Sequence, residues 1–172
     1  AWFPGDTANV AIGQGNVLVT PLQVARFMAA IANGGILWRP RLVQRVESAG
    51  ETVLSVAPEV TGHVALAPAV LAVLRRSLRA AVNGGGTASA ARSPGLLVAG
   101  KTGTAQIIRD SDSTKGQDHA WFAGYAPADD PRMVVVVLVE RGGTGGKVAA
   151  PIAGRIFREI FHSVTQVPEH PA

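Results

Sequence analysis

Apolar positions recur in two rhythms along the chain, one near the helical period and one of extended type. The helical rhythm opens at Thr20, a capping residue followed by Pro21 at the first helical position and Gln23 at the capping-box position. Val24, Phe27, Met28 and Ile31 form the predicted stripe, and Asn33-Gly34-Gly35 close it. A second helix is predicted from about Pro68, with Leu71, Leu74, Leu78 and Val82 on one face and a stop at Asn83-Gly84-Gly85-Gly86. A third follows Pro151. Ala153, Ile156, Phe157, Ile160, Phe161 and Val164 line one side, opposite Arg155, Arg158, Glu159 and His162.

The extended segments fall between these helices. Ile36 to Val46 and Thr52 to Val56 flank Glu47-Ser48-Ala49-Gly50, a pattern that predicts a hairpin or two short extended pieces. Three strands are predicted after Gly86: Leu96 to Ile108, Ala120 to Ala126 and Met133 to Glu140. Pro127-Ala128-Asp129-Asp130-Pro131 would turn the last two into an antiparallel pair. The run Met133 to Val139 is apolar at every position, as a strand covered on both faces requires. The fold class is therefore α/β in the α+β sense: an antiparallel sheet flanked by helices, the last of them packed on one face.

Composition narrows the chemistry. The chain has 172 residues, enough for one domain or a large part of one, and is 47% hydrophobic with only 16% charged residues. With no cysteine there is no disulfide framework and no thiolate chemistry. The net charge of +4 is carried almost wholly by arginine, since the lysines are Lys101, Lys115 and Lys147. Arg39, Arg41 and Arg45, and Arg75, Arg76 and Arg79, form local groups without interleaved aromatics, which reads as solvated faces and no nucleic-acid partner. No apolar run reaches the roughly 18–20 residues that span a bilayer.

Most motif-like stretches fail a physical test. Gly142-Gly143-Thr144-Gly145-Gly146-Lys147-Val148 resembles a phosphate loop, but Arg141 and Val148 stand where that loop needs glycine and a hydroxyl. Gly13-Gln14-Gly15 has Leu18 where a dinucleotide fingerprint needs its third glycine. His63, His119, His162 and His170 are too dispersed for a metal cluster, so neither a metal nor a cofactor is expected.

Gly100-Lys101-Thr102-Gly103-Thr104-Ala105-Gln106 survives, on a predicted strand. Gly103 leaves the strand edge unobstructed, so an extended substrate can lie beside it as an added strand. Lys101 brings a fixed positive charge, and Thr102 and Thr104 offer hydroxyls suited to a carboxylate. An exposed N–H at Thr104 can stabilise a developing oxyanion. His119, Trp121, Phe122 and Tyr125 read first as structural or packing residues, Asp110 to Asp118 as a solvated connection, and Gln14 and Asn16 as residues that could shape a cleft.

Lys-Thr-Gly is one of three signature motifs of penicillin-binding proteins and class A β-lactamases. Its surroundings add specificity. Trp2-x-Pro4-Gly5-Asp6-Thr7-x-Asn9, Ile12-Gly13-Gln14-Gly15 and Thr20-Pro21-Leu22-Gln23 come first, followed by Gly86-Thr87-Ala88 and Ala99 to Gln106. His119-Ala120-Trp121-Phe122-Ala123-Gly124-Tyr125-Ala126-Pro127 completes the order. Together they resemble the C-terminal part of the transpeptidase domain of class B penicillin-binding proteins, from Trp2 to about Phe161. The His-Ala-Trp-Phe start, the opening Trp-x-Pro-Gly-Asp-Thr and the glycines before Ala149-Ala150-Pro151 are most similar to the elongation group.

The resemblance implies residues 1–165 as part of a transpeptidase domain, with 166–172 as a tail. It implies catalytic and substrate-binding roles for Lys101, Thr102 and Thr104, with Gly103 completing the motif. It further implies D,D-transpeptidation of peptidoglycan stem peptides, β-lactams as inhibitors, and a site on the outer side of a bacterial membrane. A membrane glycosyltransferase and elongation-complex proteins would be partners. In the family, the first two strands of a five-stranded sheet precede the catalytic serine, and the last strand pairs with the first.

One departure is plain. The residues three before the lysines are Val98, Asp112 and Thr144, so Ser-x-x-Lys does not occur here, and neither does Ser-x-Asn. The expectation is a truncated piece whose catalytic serine lies upstream. Two other readings remain: a non-catalytic binding or scaffolding module, and a β-lactam sensor or β-lactamase of the same fold. A Ser-x-x-Lys immediately upstream would decide for the transpeptidase.

Overall fold

The computed structural model describes residues 2–15, 17–106 and 118–165, with side chains described as far as residue 161. The elements run α1 (Pro4–Ala11), α2 (Pro21–Asn33), β1 (Ile36–Trp38), β2 (Arg45–Ser48), β3 (Glu51–Ser55) and β4 (Val60–His63). Then follow α3 (Pro68–Asn83), a single 3₁₀ turn at Ser89–Ala91, β5 (Ala99–Ala105), β6 (His119–Ala126), β7 (Met133–Val139) and α4 (Ala149–Thr165).

The centre is an antiparallel sheet in the order β5-β6-β7. Its register runs from Ala99↔Tyr125 to Ala105↔His119 on one side of β6 and from Ala120↔Val139 to Ala126↔Met133 on the other. Residues directly opposite one another share a face. Thr102, Phe122 and Val137 therefore lie on one face, and Ala99, Tyr125 and Val134 on the other. Helix α4 covers the first face, where Phe122 and Phe157 are fully buried beside Ala120, Ala126, Val135, Val137, Ala149, Ala150 and Ala153. Helix α2 covers the second, packing Met28, Ile31 and Ala32 on Ala99 and Tyr125, with Leu71 and Leu78 of α3 alongside. The apolar run of β7 thus meets α4 on one side and α2 on the other.

Local signals placed the helices well. At α2, Thr20 Oγ1 accepts from Gln23 N–H (3.2 Å) while Gln23 Oε1 accepts from Thr20 N–H (2.7 Å). Such a cap contributes about 1 kcal/mol. Gly34, at φ 95°, ends the helix in the left-handed conformation. Phe27 departs from the predicted stripe: it is 56% exposed, and Ala30 and Ala32 are buried instead. In α3, Leu71, Leu74 and Leu78 are half-buried and Val82 is fully buried. Helix α4 starts at Ala149, two residues before the predicted Pro151, because proline is tolerated in a first turn whose N–H groups have no helical partner.

Helix α1 and strand β4 were not predicted. Helix α1 buries nothing, so it carries no apolar stripe to read. Its signals are Pro4 at the first position and Asp6, whose Oδ2 accepts from Phe3 N–H (2.9 Å). The stretch Ile36 to Val46 divides because Pro40 has no N–H for a ladder. Its first part, β1, pairs with β4 (Trp38↔Val60), while Arg45–Ser48 pairs with β3 as a hairpin. Ala49 and Gly50 turn that hairpin with φ 53° and 84°. Strand β5 begins at Ala99, three residues inside the predicted segment, and Ile107 and Ile108 fall outside the described residues. The tail 166–172 lies outside them too.

The arginines do more than coat a surface. Arg75 on α3 donates from Nε to Ile31 O (2.9 Å) and from Nη2 to Ala32 O (2.7 Å), satisfying free carbonyls at the C-terminal end of α2. Arg92 does the same for α3, donating to Val82 O (3.0 Å) and Asn83 O (2.8 Å).

Two predictions follow from this packing. Tyr125 is fully buried, its hydroxyl has no partner among the described residues, and burial pushes the phenol pKa up. Tyr125→Phe should leave stability unchanged or raise it by up to about 1–2 kcal/mol in chemical denaturation. A loss above about 1 kcal/mol would show that the hydroxyl is partnered after all. The second concerns β7, which pairs only with β6 among the described residues. Expressed alone, the 172-residue chain should self-associate through the outer edge of β7, and in whatever monomer remains alternate amides of residues 134–139 should exchange rapidly. A monomer protecting all of these amides would refute this.

Candidate active-site strand

The candidate residues sit on β5, which pairs with β6 on one side. Its other side carries a contact from the N-terminal segment: Gln14 Nε2 donates to Thr104 O at 3.0 Å. In an antiparallel ladder a residue's N–H and C=O point to the same side, and neighbouring residues alternate. The Gln14 bond therefore fixes the peptide groups of Thr104 and Thr102 toward the open edge, while those of Lys101, Gly103 and Ala105 turn toward β6. Gln14 is half-buried at this edge, and Asn16 lies outside the described residues.

Side chains alternate between the faces in the same way. Lys101 lies on the α2 face and is exposed, its Nζ donating to Thr102 O at 2.7 Å along the open edge. Thr102 and Thr104 lie on the α4 face. The Thr102 side chain is almost wholly buried (9% exposed), and its Oγ1 is 2.9 Å from Thr87 Oγ1. Thr104 is half-buried, and its Oγ1 accepts from Gly145 N–H at 3.4 Å. The structure thus brings Lys101, Thr102, Gly103 and Thr104 to one strand edge, with the ammonium and the two hydroxyls on opposite faces of it.

A cavity of about 510 Å³ lies beside this edge, lined by residues 101–105, Gly13, Val17–Val19, Val24, His119, Trp121, Ala123, Leu138 and Glu140. Its walls are largely apolar, with the motif as the polar element, which is the usual composition of a binding cleft. His119 lines the cleft while its Nδ1 accepts from Arg141 N–H (3.1 Å), pinning the start of β6 to the turn after β7. Phe122 and Tyr125 are core residues; Trp121 is half-buried and faces the cleft. Of the loop Asp110 to Asp118, only Asp118 lies within the described residues, and its carbonyl accepts from Gly143 N–H at 2.8 Å.

The glycine-rich loop dismissed as a phosphate site proves to be part of this architecture. A Cβ on Gly145 would stand 2.3 Å from both Gly103 O and Trp121 O, and one on Gly146 would stand 2.6 Å from Thr87 O. The loop therefore lies flat against β5 and β6 beneath the motif. Ala150 N–H donates to Gly145 O (2.9 Å), tying the loop to the start of α4. The sequence signal was the glycine density itself, which here answers to close backbone approach. Among the described residues no group of acidic residues and histidines could hold a metal ion.

Comparison with known proteins follows the same outline. A family model described as the penicillin binding protein transpeptidase domain matches residues 1–159. The peptidoglycan D,D-transpeptidase MrdA of Haemophilus influenzae is 37% identical over 169 residues, covering 91% of this chain and 26% of that protein. Among solved structures, an acyl-enzyme complex of penicillin-binding protein A from M. tuberculosis superposes with a TM-score of 0.76 at 35% identity, covering 87% of this chain and 34% of the other. PBP2 of Pseudomonas aeruginosa superposes with a TM-score of 0.73 at 36% identity, covering 91% and 32%. The chain thus spans between a quarter and about a third of the proteins it matches.

Gly145→Ala tests the packing beneath the strand. It should lower stability by about 1–3 kcal/mol, because the loop must lift away from two carbonyl oxygens. Gly62→Ala is the control: the nearest atom to its Cβ would be Leu37 Cδ1 at 3.8 Å, an ordinary contact. Its effect should stay within about 0.5 kcal/mol. Equal denaturation midpoints for the two variants would contradict the packing described.

Proposed function

The chain belongs to the penicillin-binding protein transpeptidase family, and we propose on that premise that β5 is the substrate-binding wall of a peptidoglycan D,D-transpeptidase. The observation that carries this reading is the open edge of β5. It sets the outward peptide groups of Thr102 and Thr104 between the Lys101 ammonium on one face and the two threonine hydroxyls on the other, with residues 101–105 lining the cleft. An acyl donor ending in D-Ala-D-Ala lies antiparallel to that edge, and its terminal carboxylate meets the two hydroxyls. Thr104 C=O is positioned to receive a donor-peptide N–H in the place that Gln14 holds here.

In the reaction, a serine oxygen bonds to the carbonyl carbon of the penultimate D-Ala, and the C–N bond to the terminal D-Ala breaks. The serine proton passes to the leaving amine. An amine of a neighbouring stem peptide then attacks the ester and returns the serine. Serine and its base belong to a Ser-x-x-Lys motif, which these 172 residues do not contain. Lys101 adds a fixed positive charge that favours the build-up of negative charge, and Thr104 N–H donates to the developing oxyanion. No cofactor takes part. β-Lactams enter as donors whose leaving group stays tethered, which traps the acyl-enzyme.

The setting is the outer side of a bacterial cell membrane, with a membrane glycosyltransferase and elongation-complex proteins as partners. The names of the matched proteins support peptidoglycan D,D-transpeptidation, and the elongation-type motifs are what this setting and these partners rest on. Among the described residues, no helix is long and apolar enough to cross a membrane.

The test is acylation by a labelled penicillin in the full-length protein that carries this chain. Lys101→Ala and Thr104→Pro should each slow acylation by at least tenfold with the fold intact, one removing the charge and the other the oxyanion donor. Rates within a factor of about two of the unsubstituted protein, ~0.4 kcal/mol, would rule out this placement of the site. The 172-residue chain by itself should form no adduct that survives denaturation.

A further inference from the structure

Thr102 and Thr104 do not stand alone on the α4 face of the strand. Each hydroxyl already has a neighbour contributed from far away in sequence. Thr87, in the loop that follows α3, sets its Oγ1 2.9 Å from Thr102 Oγ1, and the Gly145 N–H reaches Thr104 Oγ1 at 3.4 Å. Gly146 lies against the carbonyl of Thr87, so the two neighbours brace one another.

A hydroxyl has one proton to donate and two lone pairs with which to accept. Gly145 can only donate, so its N–H occupies an acceptor site on Thr104 and leaves the Thr104 proton free. Thr87 and Thr102 can share their bond in either direction. An anion at the open side of Thr102 favours one direction alone. Thr87 then donates to Thr102, and Thr102 donates to the anion. A chain ordered this way strengthens each link, because every donation polarises the next O–H.

We propose that Thr87 is a positioning residue that orients the Thr102 hydroxyl as a donor and so sets the preference of the site for an acyl donor with a free carboxylate. This rests on the transpeptidase reading above and adds a residue that touches no substrate. The Thr102 side chain is almost wholly buried, which leaves its hydroxyl few alternatives once Thr87 is lost. Without Thr87, nothing donates to the Thr102 oxygen to hold its O–H in that direction, and the carboxylate loses an aligned donor. A neutral ester at the same place needs no such alignment.

The experiment uses the full-length protein with Thr87→Val, which keeps the shape and removes the hydroxyl, and Thr87→Ser, which keeps the hydroxyl. The second-order acylation rate is measured with a penicillin and with its methyl ester, and thermal midpoints are recorded for each protein. Thr87→Val should lose about tenfold or more with the free acid, the scale of one hydrogen bond to a charged group, and less than about twofold with the ester. Thr87→Ser should recover the acid rate to within about threefold. Equal losses with acid and ester in Thr87→Val would overturn the proposal and leave Thr87 a packing residue. If Thr87→Val does not fold, Thr87→Ala takes its place as the variant without the hydroxyl: a loss confined to the free acid supports the proposal, and equal losses with acid and ester refute it. Should the unsubstituted protein fail to be acylated by either compound, the transpeptidase reading itself fails and this inference falls with it.

Discussion

The ladder between β5 and β6 is the interaction on which the rest of the structure depends. A strand that is to accept a substrate along one edge must keep that edge unpaired, yet hold its backbone still. Seven paired positions on the other edge, from Ala99↔Tyr125 to Ala105↔His119, supply the stillness. The two apolar layers then clamp the ladder from both faces, Phe122 with Phe157 on one and Tyr125 with Met28 and Ile31 on the other. Polar and apolar duties are separated along the strand: Ala99 and Gly100 are buried in the core, while residues 101–105 line the cleft, Thr102 with its side chain turned into the packing.

What was legible in the sequence was local. Thr20, Pro21 and Gln23 cap a helix through atoms a few bonds apart, so their spacing is enough to read the element. The alternation and apolar runs of β5 to β7 were readable because a two-sided core demands them. Contacts that depend on distant sequence were not. The pairing of β1 with β4 joins residues more than twenty positions apart in short pieces that carry no alternation of their own. Helix α1 buries nothing and has no stripe.

The same divide runs through the site. Lys101, Thr102, Gly103 and Thr104 stood out as a contiguous motif, and their edge chemistry could be argued from strand geometry. Thr87 and Gly145 reach β5 from 15 and 41 residues away, and each reads as ordinary loop chemistry until the fold is known; Gln14, 90 residues away, reads as a residue that could shape a cleft, but its bond to the Thr104 carbonyl needs the fold. Gly145 shows how a correct exclusion can hide a role. Rejecting the phosphate loop was sound, yet those glycines are needed for a flat backbone contact with the strand.

Arg75 and Arg92 carry a consequence for how this protein meets a charged polymer. Each guanidinium sits at the carbonyl end of a helix, where the aligned peptides present about half a negative charge. Viewed from several ångströms away, each is better described as a partly neutralised dipole than as a free positive charge, and its field decays faster with distance. The formal +4 therefore overstates the pull on an anionic polymer. Retention on a cation-exchange matrix would reflect the outward-facing guanidiniums more than the total count.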